Sequence, residues 1–160
     1  MRLLIVGAGG HGKVVAETAL ACGYDQIDFL DDKSPDAIGT IERLEEVAPT
    51  YDGVIISIGN NKIRRELIDR LEAVGAPITT LIHPTAFVSS SAKIGTGSIV
   101  LPGAVIHTNA KVGKGCIISI GALIDHDSVV GDYCHIDAGA VCRSRSQVLD
   151  GLKIEANTVS

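Results

Sequence analysis

Tryptophan is absent from this sequence, all aromatics together amount to 3%, and there is one methionine. A core built on large rings is excluded, so the 46% of hydrophobic residues must pack as small aliphatics. No apolar run approaches the roughly 18 residues of a membrane span. The opening Met1-Arg2-Leu3-Leu4-Ile5-Val6 meets glycine after four apolar positions, and neither a signal peptide nor a spanning helix is expected. Clustered positive charge is also missing. The 14 basic residues are scattered in a chain of net charge −5, which argues against nucleic acid or an anionic membrane as partner. No C-x-x-C pair occurs, so no metal site is expected, and Cys116, Cys134 and Cys142 read as core filler in a reducing, cytoplasmic compartment.

What the sequence has instead is a strict period. Read in sixes from Ala86, the third residue is Val88, Ile94, Val100, Ile106, Val112, Ile118, Ile124, Val130, Ile136, Cys142, Val148 and Ile154, of which eleven are β-branched aliphatics. Two residues earlier stands a small residue in every unit but the last, which has Leu152. Glycines at 95, 97, 103, 113, 115, 121, 131, 139 and 151 supply turn chemistry. A six-residue unit with one large inward side chain cannot bury it alone, so the units must stack. Ordinary sandwich strands would instead alternate over longer runs, with turns every 8–12 residues or so.

The first half reads differently. Arg2–Val6 is a short apolar strand, followed by Gly7-Ala8-Gly9-Gly10-His11-Gly12 and a helical stretch from Lys13 to Cys22. Strand, glycine turn and helix bring backbone N–H groups to a phosphate. Gly7-x-Gly9-x-x-Gly12 matches the dinucleotide fingerprint in letters only, because the segment is too short for a full dinucleotide fold. An oxidoreductase resting on that match alone is the weakest reading. A second strand, Gln26–Leu30, ends at Asp31-Asp32, the place of a ribose-binding carboxylate. Leu44–Val47 is a short helix, Gly53–Ile58 a buried strand ending in Gly59-Asn60-Asn61, and Lys62–Val74 a helix with Ile63, Leu67, Ile68 and Leu71 on one stripe and Asn60 or Asn61 as its cap. Thr79–Ile82 is expected to be the last strand of a half-size βαβαβ unit, which places the domains at 1–82 and 83–160.

The strings Gly9-Gly10-His11-Gly12, Phe29-Leu30-Asp31-Asp32, Ile58-Gly59-Asn60-Asn61-Lys62-Ile63-Arg64, Leu81-Ile82-His83-Pro84 and Ile124-Asp125-His126-Asp127 follow one another in this order. With the hexad repeat, they resemble the bacterial sugar acetyltransferases among the hexapeptide-repeat transferases, the group of UDP-4-amino-sugar N-acetyltransferases and sialic-acid O-acetyltransferases. That resemblance spans essentially the whole chain. It implies an α/β, Rossmann-like parallel-sheet domain that holds a nucleotide-linked sugar. A left-handed parallel β-helix of about four coils then follows, three hexads to a coil and roughly 20 Å tall at ~4.8 Å per coil. It further implies a homotrimer, with acetyl-CoA lying between neighbouring helices.

By residue, the resemblance puts the substrate on Gly10, His11, Gly12, Asp31, Asp32, Gly59, Asn60 and Asn61, the catalytic base at His126 oriented by Asp127, and the donor on His135 and Ser144. Acetylating an amine requires it deprotonated, and a histidine beside a carboxylate suits that task. His83 and His107 are read as structural. Arg143 and Arg145 are equally readable as phosphate contacts for CoA or as solvated charges. The family generally continues for further coils past the position of Ser160, which leaves three readings: a short subfamily, a shortened chain, or a nucleotide-sugar-binding trimer that has lost transfer. The expected function is acetyl transfer to the amino group of a nucleotide-linked amino sugar in glycan or polysaccharide assembly, with O-acetylation of a sialic-acid-like sugar as the enzymatic alternative.

Overall fold

Leu3, Leu4, Ile5 and Val6 have no solvent exposure, because β1 (Arg2–Val6) is the middle strand of a three-stranded sheet. The computed structural model describes residues 1–160, which divide into two units, Met1–Thr79 and Thr80–Ser160. In the first unit, β1 leads through α1 (Gly10–Ala21) to β2 (Gln26–Leu30), and α2 (Leu44–Val47) precedes β3 (Gly53–Ile56) and α3 (Asn61–Ala73). All three strands are parallel, in the order β2-β1-β3, with Leu4 opposite both Asp28 and Val54. The chain therefore leaves β1 on one side and returns on the other, which makes the crevice beyond the carboxyl ends of β1 and β3 a topological switch point.

Asn60 caps α3, its Oδ1 accepting from the Ile63 N–H at 2.9 Å. The buried stripe of that helix is Arg64, Leu67, Ile68 and Leu71, whereas Ile63 is 44% exposed. An arginine takes the inward place because carbonyls await it there. Its Nη1 donates to Ile58 O at 3.0 Å and Gly59 O at 3.2 Å, and its Nη2 to Asn61 Oδ1 at 2.6 Å.

The expected last strand at Thr79–Ile82 is split. Thr79 N–H donates to Val54 O at 3.0 Å at the edge of the first sheet, next to the Ile78 bridge to Val54, but Leu81–Ile82 pairs with Ile99–Val100 and belongs to the second unit. A two-residue strand is paired by whichever neighbour supplies its ladder, and the repeat supplies one here.

The second unit is a left-handed parallel β-helix of thirteen two-residue strands in three stacked sheets. Each strand pairs with the strand 18 residues away. The first face carries 81–82, 99–100, 117–118, 135–136 and 153–154. The second carries 87–88, 105–106, 123–124 and 141–142, and the third 93–94, 111–112, 129–130 and 147–148. Four full coils follow one another, and the third residue of each hexad lines the interior, from Val100 through Cys142 to Val148. Burial of each such Val or Ile contributes roughly 1.5–3 kcal/mol, which no isolated hexad can realise.

Cys142 is core filler as expected, but Cys116 and Cys134 do more. At four hexads the small residue in first place donates its hydroxyl or thiol to a carbonyl of the coil above: Ser98 Oγ to Gly113 O at 2.8 Å, Cys116 Sγ to Gly131 O at 3.0 Å, Ser128 Oγ to Arg143 O at 2.8 Å and Cys134 Sγ to Leu149 O at 3.1 Å. At the corners, residues 97, 103, 109, 115, 121, 127, 133, 139, 145, 151 and 157 all have positive φ, one every six residues. Five of them are not glycine, and Asp127, at φ 59, is one of the five.

Candidate active site

In the first unit, the three loops that follow β1, β2 and β3 leave the same edge of the sheet, as parallel strands require. Gly7 (φ +105) and Gly12 are dictated by packing, since a Cβ on Gly12 would stand 2.1 Å from Gly7 O. Gly9 and Gly10 are not so constrained. Both are exposed, a Cβ on either would meet no atom within 4 Å, and Gly9 caps α1 without a side-chain bond. The first turn of α1, with His11 half-buried in it, thus presents open backbone at the switch point, opposite exposed Gly59 and Asn60.

Asp31 is placed to hold this turn. Its Oδ2 accepts from Ala8 N–H at 2.9 Å, and its Oδ1 from Lys33 and Ser34 N–H at 2.8 Å each. Those three backbone bonds, Ala8's foremost, keep its carboxyl below the usual range. Asp32 Oδ1 accepts from Ile41 N–H at 2.9 Å. Asn60 and Asn61 each spend their side-chain oxygen inside the fold, on Ile63 N–H and Arg64 respectively. Of the expected substrate residues, Gly10, His11, Gly12, Gly59, Asn60 and Asn61 flank the switch point, while Asp31 and Asp32 stiffen the loop after β2.

In the second unit, the edge between the second and third faces is a polar ladder. Ser90, Thr108, His126 and Ser144 stack one coil apart, and beside them stand Ser91, Asn109, Asp127 and Arg145. Backbone bonds tie successive corners: Asp127 N–H to Thr108 O at 2.9 Å and Arg145 N–H to His126 O at 3.0 Å. The His126 N–H donates to Asp125 Oδ1 at 2.7 Å, and the His126 ring Nδ1 lies 2.8 Å from Asp127 Oδ2. That hydrogen bond to His126, and then one from Asn109, hold the Asp127 carboxyl below its ordinary value. An ionised carboxylate only accepts, so Nδ1 carries the shared proton and Nε2 is left with its lone pair. The histidine is 41% exposed and the aspartate 45%, so a substrate can reach them. Ser144 is exposed directly above His126.

His135 stands elsewhere. It lies on the first face, its Nε2 3.2 Å from Ser119 Oγ and 3.7 Å from Asp137 Oδ1, at the edge between the first and second faces. One copy of the chain brings His126, Asp127 and Ser144 together and keeps His135 on another edge. His83 Nδ1 accepts from Thr85 N–H at 3.0 Å in its own turn, and the His107 ring lies 6.3 Å from that of Phe87. Reading by hexads missed Asn109, which steadies Asp127. Its signal was the 18-residue offset between them.

The PglD N-terminal domain family matches residues 2–71. A UDP-N-acetylbacillosamine N-acetyltransferase of Bacillus subtilis is 36% identical over 108 residues, 61% of this chain, and the match spans 50% of that relative's length. The acetyltransferase domain of PglB from Neisseria gonorrhoeae superposes with a TM-score of 0.90 at 36% identity, covering 99% of this chain and 90% of that one. The same domain in complex with acetyl coenzyme A superposes at 0.88 and 35% identity, covering 98% and 88%. A variant of perosamine N-acetyltransferase from Caulobacter crescentus, with CoA and GDP-perosamine bound, superposes at 0.79 and 28% identity, covering 99% and 85%.

Proposed function

Because this chain belongs to the bacterial sugar acetyltransferase family of hexapeptide-repeat transferases, we propose that it transfers an acetyl group from acetyl-CoA to the amino group of a nucleotide-linked amino sugar. The observation that carries this reading is the His126–Asp127 pair at 2.8 Å on an open corner, with Ser144 one coil above. The acceptor amine is mostly protonated at neutral pH and attack needs its lone pair, so the nucleophile is the neutral amine, its extra proton already lost to solvent. His126 Nε2 takes a proton from the amine as nitrogen bonds to the thioester carbon. Asp127 holds the ring in the required tautomer and stabilises the imidazolium that forms. The carbonyl oxygen gains charge and takes a hydrogen bond from a backbone N–H of the next coil, where Ser144 stands. As the tetrahedral species collapses, the C–S bond breaks and the imidazolium returns its proton to the CoA sulfur.

The nucleotide of the acceptor rests its phosphates on the open first turn of α1 at Gly9–Gly12, with Gly59, Asn60 and Asn61 beside it. The active form is a homotrimer. Two observations support that reading: His135 and His126 lie on different edges of one helix, so a donor touching both must run between copies, and the outward ladder of the second face, Phe87, Val105, Leu123 and Val141, is apolar throughout, with Phe87 56% exposed. Relatives named as a UDP-N-acetylbacillosamine N-acetyltransferase and a perosamine N-acetyltransferase favour nitrogen over oxygen as the acceptor. The test is release of the CoA thiol when the purified chain is mixed with acetyl-CoA and a UDP-4-amino sugar, run beside a sialic acid. Thiol release with the amino sugar alone supports N-transfer. Release with the sialic acid alone transfers the reading to oxygen, and none with either, on a folded chain, overturns it.

A further inference from the structure

Beside the His126–Asp127 corner, on the third face of the β-helix, lies an open cavity of about 420 Å³ lined by Ser91, Lys93, Asn109, Lys111, Asp127 and Val129. Lys93 and Lys111 are register partners on adjacent strands, so their side chains leave the same face one above the other, about 4.8 Å apart at the backbone. Both are exposed, and neither is in an ion pair. The one carboxylate in the cavity, Asp127, is engaged by His126.

Two like charges directly opposite on neighbouring strands repel, and elsewhere in this helix the chain compensates them. Lys153, on the first face, has Asp137 at 3.5 Å and Glu155 at 3.3 Å. The third-face pair has no such partner, and the positive column stops where Val129 replaces it, level with Asp127. The lower rim is polar and fixed: Ser91 Oγ accepts from the Asn109 N–H at 2.9 Å.

We propose that Lys93 and Lys111, with Ser91 and Asn109, form a binding subsite for a phosphoanhydride, each ammonium meeting one phosphoryl group and thereby setting the distance from that diphosphate to the reacting centre at His126. The assignment rests on the acetyltransferase reading above for the identity of its ligand. Both reactants of such an enzyme carry a diphosphate, one in the nucleotide sugar and one in CoA, and the chemistry of recognition is common to the two; with the nucleotide's phosphates on the first turn of α1 the CoA diphosphate is the expected occupant, and a nucleotide occupant would move those phosphates off that turn. A stacked ammonium pair reads two linked charges, so it prefers a diphosphate to a monophosphate.

The experiment is calorimetric titration of the full chain with UDP, CoA and inorganic phosphate as separate probes, for wild type, the double variant Lys93→Gln/Lys111→Gln and the charge-conserving Lys93→Arg/Lys111→Arg, each checked by thermal melting. The expected result is a loss of about tenfold or more in affinity for one diphosphate probe in the glutamine pair, with the arginine pair near wild type and inorganic phosphate bound weakly by all three. The probe that weakens names the source, UDP for the nucleotide sugar and CoA for the donor. Unchanged affinity for both, or no binding of either by wild type, overturns the subsite. Loss of diphosphate binding in the glutamine pair alongside a wild type that releases no CoA thiol upholds the subsite and removes the acetyltransferase reading instead.

Discussion

Both units of this chain place backbone in the left-handed region, and they do so under opposite constraints. At the turn after β1, Gly7 has φ +105, and Gly12 faces Gly7 O so closely that a methyl group would stand 2.1 Å away. No side chain is possible at either position, so there the turn can offer a ligand only its backbone. At the corners of the β-helix a positive φ recurs every six residues, yet Asn109, Asp127, Tyr133, Arg145 and Asn157 occupy it with side chains attached, at φ between 56 and 59. An αL conformation costs a non-glycine residue roughly 1–2 kcal/mol, least for Asn and Asp, whose side chains bond locally. The stacked ladder holds each corner in place through bonds such as Asp127 N–H to Thr108 O. A repeat therefore lets a reactive side chain stand at its sharpest bend, whereas the glycine turn admits none at Gly7 and Gly12.

The largest break in that comparison is Gly12→Ala. Its Cβ meets fixed backbone, so we expect a loss of about 3 kcal/mol or more and melting of the first unit at lower temperature by calorimetry. Next comes Asp31→Ala, which leaves the Ala8, Lys33 and Ser34 N–H groups without their acceptor and costs about 2 kcal/mol. This group also sets a pH dependence. Its folded carboxyl lies below the ordinary 3.8, so its stabilisation is complete above that value and is lost as pH falls through the lowered one. In denaturant melts the difference between wild type and Asp31→Ala should begin to shrink as pH falls below 3.8 and go on shrinking through the lowered folded value.

Arg145→Gly sharpens the other side of the comparison. Removing the side chain from an αL corner at φ 59 should raise stability by up to about 1 kcal/mol, read as a higher denaturant midpoint at unchanged slope. The smallest effect belongs to Gly9→Ala, where no atom lies within 4 Å, and stability should move by no more than about 0.5 kcal/mol while nucleotide binding weakens.

The hexad period was enough to read a stack of short units, because one inward aliphatic per six residues has no other way to be buried, while the left-handed β-helix came from the family resemblance. It also singled out His126, which stands with Asp127 where a purely structural corner does not ask for it. What the period hides is adjacency. Side chains touch across 18 residues, so Asn109 under Asp127 and Lys93 under Lys111 look unrelated when the chain is read in sixes. In the first unit, the glycine turn and the Asn60 cap were visible as local chemistry. Arg64 in the buried stripe was not, because its place depends on the carbonyls of Ile58 and Gly59, which come within reach only after the strand and helix have packed. Thr79–Ile82 was ambiguous for the same reason: short strands belong to the sheet that pairs them.

The central claim is that His126, fixed by Asp127, moves the proton during acetyl transfer. It is tested most directly by the turnover rate of His126→Ala with acetyl-CoA and a UDP-4-amino sugar, with the affinity of both reactants measured on the same sample. The account predicts a fall in kcat of about 10²–10⁴-fold with both affinities within about threefold of wild type. A variant that turns over within about fivefold of wild type at neutral pH would contradict it.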